Sequence, residues 1–182
     1  MKKTFAFAAA VLVMAFAVKA DNLATTEQAA AVSPIQVALF SPAELPSPDT
    51  DIRGLRLSFI YGRCRNLSGI DLGIANHCRG RLAGFELGGF SMVTGNTSGV
   101  QINLCASITL REMRGFQCAS YTSCRDVGRG MQLGVINHCT DMRGFQLGLL
   151  NISSEMTGMQ IGLINIISES PLPAFPILNA HF

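Results

Sequence analysis

The chain has 182 residues, with 14 lysines and arginines against 12 aspartates and glutamates, no tryptophan and only two tyrosines. All three lysines (Lys2, Lys3 and Lys19) lie near the start, so the rest of the chain sets eleven arginines against the same twelve acids. That near-neutral balance argues against a nucleic-acid binder, which carries a basic excess on one face.

Residues 1–20 read as a signal peptide. Lys2 and Lys3 form a positive start, residues 4–18 are almost wholly apolar, and Val18-Lys19-Ala20 offers a cleavage site after Ala20. The apolar run is shorter than the roughly 20 residues a spanning helix needs. Residues 21–50 differ from everything later: they contain Pro34, Pro42, Pro46 and Pro48 and lack cysteine and arginine. They are expected to form a linker and N-terminal cap, with one short strand over residues 35–40 bounded by prolines that stop its extension. The acids of Pro48-Asp49-Thr50-Asp51 read as a solvated turn rather than a catalytic pair.

Residues 51–170 hold eight copies of one phrase, beginning at Gly54, Gly69, Gly84, Gly99, Gly115, Gly130, Gly144 and Gly158. The clearest are Gly144-Phe-Gln-Leu-Gly-Leu-Leu-Asn151 and Gly158-Met-Gln-Ile-Gly-Leu-Ile-Asn165. Position one after the glycine is apolar throughout. Position two is Arg56, Asp71, Glu86 and then Gln101, Gln117, Gln132, Gln146 and Gln160. Position three is Leu or Ile except at Cys118, and position four is small or polar. Such alternation predicts a strand with one apolar face. Positions five and six are both mostly apolar, which breaks the period and predicts a bend. Asn76, Asn137, Asn151 and Asn165 follow at position seven, where Tyr61, Ser91, Ala106 and Thr122 stand in the other copies. Residues 171–182 are expected to cap the far end.

A strand in every 14–16-residue unit fits two all-β architectures. In a β-solenoid each copy is one coil, equivalent residues stack about 4.8 Å apart, and Gln over Gln and Asn over Asn form amide ladders. In an eight-stranded antiparallel barrel each copy is one strand, with apolar positions facing lipid; membrane contact is expected only in that case. Parallel stacking explains why each column keeps its own chemistry. The connections are alike rather than alternately short and long, and no aromatic girdle is present. The expected fold is therefore the solenoid.

The G-x-Q-[LI]-G-[LVI]-x-N units resemble the bacterial surface-repeat proteins of the leptospiral type, over residues 51–182. The match is specific in the copies at Gly130, Gly144 and Gly158 and degenerate in the first five. The resemblance implies a surface or envelope location and no known enzymatic activity.

All six cysteines lie within the repeats. Cys64, Cys78, Cys124 and Cys139 fall five or six residues before the next repeat glycine, in what reads as a turn. An even count in an exported chain favours disulfides, with Cys64–Cys78 and Cys124–Cys139 as adjacent-coil pairs and Cys105–Cys118 as a third. Asn76-His77-Cys78 and Asn137-His138-Cys139 repeat a His-Cys dipeptide, but four coils separate them, about 19 Å. They cannot share one ion, so no metal site is expected and the histidines read as solvent-facing. Arg56, Asp71 and Glu86 read as a solvated charged stripe. Enzyme signatures are absent: there is no G-x-S-x-G, P-loop or H-E-x-x-H, and Gly128-Arg-Gly130 has the wrong spacing for a dinucleotide fingerprint. The reading is a non-enzymatic exported surface or envelope repeat protein without cofactor, structural or binding an unidentified protein or glycan. An outer-membrane barrel is the alternative.

Overall fold

The computed structural model describes residues 31–40, 43–47, 49–170 and 173–181. The signal-peptide reading, and the linker reading of residues 21–30, lie outside the described residues. Eleven strands occur among those described: β1 (Val32–Phe40), β2 (Ala43–Leu45), β3 (Asp51–Cys64), β4 (Leu67–Cys78), β5 (Leu82–Val93), β6 (Thr97–Thr109), β7 (Met113–Cys118), β8 (Tyr121–Leu133), β9 (Ile136–Leu147), β10 (Leu150–Ile167) and β11 (Ala174–His181). They form one continuous hydrogen-bonded stack in sequence order, except that β1 lies between β3 and β2. From β1 and β3 through β10 every neighbour is parallel. The fold is a β-solenoid of about eight coils. Parallel neighbours exclude the antiparallel barrel, in which each strand would run against the next.

Register follows the sequence columns. Gly54 pairs with Gly69, Gly69 with Gly84, and so on to Gly144 with Gly158. Bulges absorb the unequal copy lengths: Phe59 and Ile60 together oppose Ile74, and Leu104 and Cys105 together oppose Gly89. The bulges correct the asparagine column. Its members in the first and fourth copies are Gly62 and Ser107, not Tyr61 and Ala106.

Which side of the strand faces inward reverses the simplest reading of the alternation. The glutamines of position two are fully buried, and so are Arg56, Asp71 and Glu86. The apolar side chains of positions one and three look outward, among them Ile70, Phe85, Leu87, Phe145 and Leu147. Strand pleating fixes only that these two sets face opposite ways. A glutamine column at coil spacing satisfies its own amides, so it can be buried at low cost. The apolar core comes from a column not separated in the sequence, two residues before each glycine: Ile52, Leu67, Leu82, Met113, Met142 and Met156. These pack against Cys64, Cys78 and Val93 in one cluster and Cys124, Cys139 and Ile167 in another. Each such aliphatic or thioether side chain contributes about 1.5–3 kcal/mol by burial. Between the clusters, the fourth copy sets Thr97 against Thr109, hydroxyl to hydroxyl at 2.9 Å. The four cysteines expected in turns are instead buried on strands, facing this core.

All eight repeat glycines hold φ between 121° and 149°. A side chain on any of them would overlap the carbonyl oxygen of the preceding rung, from Pro34 beneath Gly54 to Gly144 beneath Gly158. The strand expected over residues 35–40 is longer and begins before Pro34, which lies inside β1 rather than bounding it. Ile35 pairs with Leu55, Gln36 with Arg56 and Ala38 with Ser58, so Pro34-Ile-Gln-Val-Ala38 is an extra rung without the glycine. At the other end β11 turns back antiparallel on β10, placing Asn179 beside Gln160.

Position four is equally confined. A Cβ on Gly148 would overlap the Gly134 carbonyl oxygen and press on the Asn137 amide. Gly148→Val is expected to destabilise the fold by well over the roughly 1 kcal/mol of an ordinary glycine effect. An unchanged denaturant midpoint would show that this column faces open solvent.

Candidate functional site

Alternation carries the position-two side chains into the interior, and the register lines them up. Gln160 Nε2 donates to Gln146 Oε1 at 2.7 Å, Gln146 to Gln132 at 2.8 Å, Gln132 to Gln117 at 3.0 Å and Gln117 to Gln101 at 2.8 Å. Gln101 Nε2 then donates to the Glu86 carboxylate at 3.1 Å and to Ser91 Oγ at 2.9 Å. Every amide in this ladder donates toward the N-terminal end. The asparagine ladder runs the opposite way: Thr122 Oγ1 donates to Asn137 at 2.7 Å, Asn137 to Asn151 at 2.8 Å and Asn151 to Asn165 at 2.7 Å. Asn76 is not part of it. Its register neighbours are Gly62 and Ser91, and neither side-chain atom has a hydrogen-bond partner among the described residues.

The glutamine ladder ends on charges. Arg56 grips Asp71 with two hydrogen bonds, Nε to Oδ1 at 2.7 Å and Nη2 to Oδ2, and both side chains are wholly buried. The stripe expected on the solvated surface is therefore internal, because position two points inward in every copy. Burial is the largest influence on the Arg56 pKa and would lower it, but the Asp71 charge and hydrogen bonds, together with Cys64 and Cys78, raise it above the ordinary value. Glu86 is the third member. Burial, reinforced by the Asp71 charge, lifts its carboxyl to about 7, against hydrogen bonds from Ser91 and Gln101 and the Arg56 charge. Its Oε1 has no hydrogen-bond partner among the described residues.

His77 is buried, not solvent-facing: its Nδ1 lies 3.1 Å from the Tyr61 hydroxyl and its Nε2 3.3 Å from the Thr94 hydroxyl. His138 is half-buried. Among the described residues no group of three or more His, Cys, Asp or Glu side chains is disposed to hold a metal. The register sets Cys64 beside Cys78 and Cys124 beside Cys139, all as free thiols. In-register parallel strands carry their Cβ atoms at the same separation of about 4.8 Å as their Cα atoms, beyond the roughly 3.5–4.5 Å of a disulfide. The expected bridges therefore meet a geometric obstacle that the Cα spacing does not reveal. Cys118 pairs with Ile102 and Leu133, and Cys105 lies in the bulge opposite Gly89, so the third expected pair is out of register.

The exterior carries the other candidate feature. Over the last four copies an apolar groove of about 600 Å³ runs along the coil corner. Gly134, Gly148 and Gly162 line it together with Leu133, Leu147, Leu149 and Leu163. Ile177 of β11 stands at its end with φ of 70°, a conformation costing an L-residue about 1–2 kcal/mol.

Glu86 gives the coil a pH dependence of defined sign. Its folded pKa is raised from 4.5 to about 7, so the folded state holds the proton longer than the unfolded chain. Its favourable contribution is complete below about pH 4.5 and is lost as pH rises through 7, a change on the order of 3 kcal/mol. Glu86→Gln, which extends the ladder with a neutral amide, is expected to raise the unfolding midpoint at pH 8 and flatten the slope between pH 5 and 8. A lower midpoint at pH 8 would show that the carboxylate is stabilising there.

No family model, no curated protein and no solved structure matches this chain.

Proposed function

We propose that this solenoid is a non-enzymatic, exported repeat protein of the cell envelope or surface, acting as a scaffold that binds a protein partner through its apolar exterior. The carrying observation is the polarity of the coil. Amides and charges fill the interior, while leucine, isoleucine and phenylalanine line the outside, with Leu163 66% exposed and Gln160 fully buried. Contiguous exposed apolar surface marks interaction sites. An apolar contact surface suits a protein partner better than a glycan, whose hydroxyls need polar groups. The positive, apolar first twenty residues support export, and the likeness of the repeat units to surface-repeat proteins of the leptospiral type supports the location.

Fractionation of a bacterium expressing the full chain tests the address, and charge substitutions test the surface. The chain is expected to be cleaved after Ala20 and recovered with the envelope without needing detergent for solubility. Leu149→Glu with Leu163→Arg is expected to release it from the envelope fraction with little change in melting temperature, because both side chains already face solvent and the new charges on neighbouring rungs are of opposite sign. An uncleaved chain in the cytoplasm would overturn the address. Retention of the double variant would remove the exterior from the binding role, and recovery only in detergent would replace the protein partner with lipid.

A further inference from the structure

The two apolar clusters differ in chemistry. The N-terminal one combines Cys64 and Cys78 with Ile52, Leu67, Leu82 and Val93. The C-terminal one is built almost wholly from sulfur residues: Met113, Cys124, Cys139, Met142 and Met156, with Ile167. At its centre the core column has lost a side chain. Gly128 occupies the position that Met113 and Met142 fill in the neighbouring rungs. A Cβ at Gly128 would lie 2.7 Å from Cys139 Sγ and 2.8 Å from Met142 Sδ, so a thiol and a thioether converge on the place the missing side chain leaves. Cys124, the register partner of Cys139, touches it thiol to thiol. Two sulfurs, Cys139 Sγ and Met142 Sδ, therefore meet at one buried point, and the Cys124 thiol adjoins Cys139 from the neighbouring rung. The exposed Arg125 and Asp126 directly follow the buried Cys124 in the chain.

Ligand type selects the ion. Thiolate and thioether sulfurs are soft donors that favour monovalent copper, whereas magnesium and calcium require oxygen. Structural zinc takes four ligands from cysteine, histidine and carboxylate, and here only two cysteines converge, with a thioether as the third donor. Two thiols in contact across neighbouring rungs, with a thioether beside one of them, are placed to ligate a single soft ion. We propose that Cys124, Cys139 and Met142 form a three-sulfur site for monovalent copper in the C-terminal half of the coil. Binding transfers no electron: each thiol that ligates releases its proton to solvent, and the metal accepts a lone pair from each sulfur. Cys64 and Cys78 are the internal comparison, a pair in the same register with Leu67 in the place of Gly128 and Leu82 in the place of Met142.

The test is a titration of the reduced full-length protein with Cu(I) under anaerobic conditions, in competition with the chelator bicinchoninate. One copper per chain is expected to be withheld from the chelator. Met142→Leu, a volume-conserving change, is expected to weaken retention by about tenfold or more. Cys124→Ser with Cys139→Ser is expected to abolish retention, and Cys64→Ser with Cys78→Ser to leave it unchanged. Far-UV circular dichroism confirms that each variant folds. X-ray absorption at the copper edge gives a second readout, independent of the variants, with sulfur-only ligation expected. Surrender of all copper by the wild type, retention by the Cys124/Cys139 variant, loss in the Cys64/Cys78 variant, or nitrogen or oxygen ligands in the absorption spectrum would each overturn the site.

Discussion

The contact on which this coil depends is between backbone atoms. Each repeat glycine lies so close to the carbonyl oxygen of the rung beneath it that no side chain fits between them. That approach fixes the register of neighbouring copies to the residue, and everything in the interior follows from the register. A slip of one position would carry the glutamines outward and the exterior leucines inward. The eight positive φ values therefore set both the stacking and the direction in which the core chemistry points.

With register fixed, the interior is a polar structure framed by two small apolar clusters. Ladders of this kind put each buried amide next to an identical amide, so the desolvation cost is met by the neighbour. The arrangement works where neighbours match and weakens where they do not. In the C-terminal half the glutamine and asparagine columns are long and mutually satisfied up to the last glutamine, Gln160, whose Oε1 has no hydrogen-bond partner among the described residues. In the N-terminal half Arg56, Asp71 and Glu86 break the glutamine column, Asn76 lacks an asparagine beside it, and Ser58, Asn103 and Glu86 each keep an oxygen without a hydrogen-bond partner among the described residues. The two ladders also donate in opposite directions, so their amide dipoles oppose rather than add along the axis. The Thr97–Thr109 rung separates the apolar clusters.

Much of the architecture was legible in the sequence because column identity survives in a parallel stack. The period, the strand positions and the choice of solenoid over barrel follow from glycine spacing and the constancy of position two. Inside and outside were not legible. Alternation states that Phe145 and Gln146 face opposite ways, but only the neighbouring rung decides that the glutamine is buried. The same gap misplaced Arg56, Asp71 and Glu86, whose charges suggest solvent, and His77, which the polar turn signals around it suggested was exposed. The sulfur cluster was hidden for another reason. Met113, Gly128 and Met142 belong to a column whose residue types vary, so nothing in the linear pattern marks them as neighbours of Cys124 and Cys139. Bulges at Phe59–Ile60 and Leu104–Cys105 likewise shift the asparagine column by one residue, a displacement visible only once strands are paired.

Pro34 shows what the glycines count. The rung built on it has the glutamine, the small residue and the parallel pairing of the later copies, yet lacks the glycine. The glycine is needed only above another carbonyl, and Pro34 is the first of the series among the described residues, its own carbonyl lying beneath Gly54. The number of glycines is thus the number of junctions rather than of rungs, as a fence has one more post than it has gaps. A search that anchors on glycine will undercount such arrays by one at the end where the stack begins, and the founding rung will pass as linker.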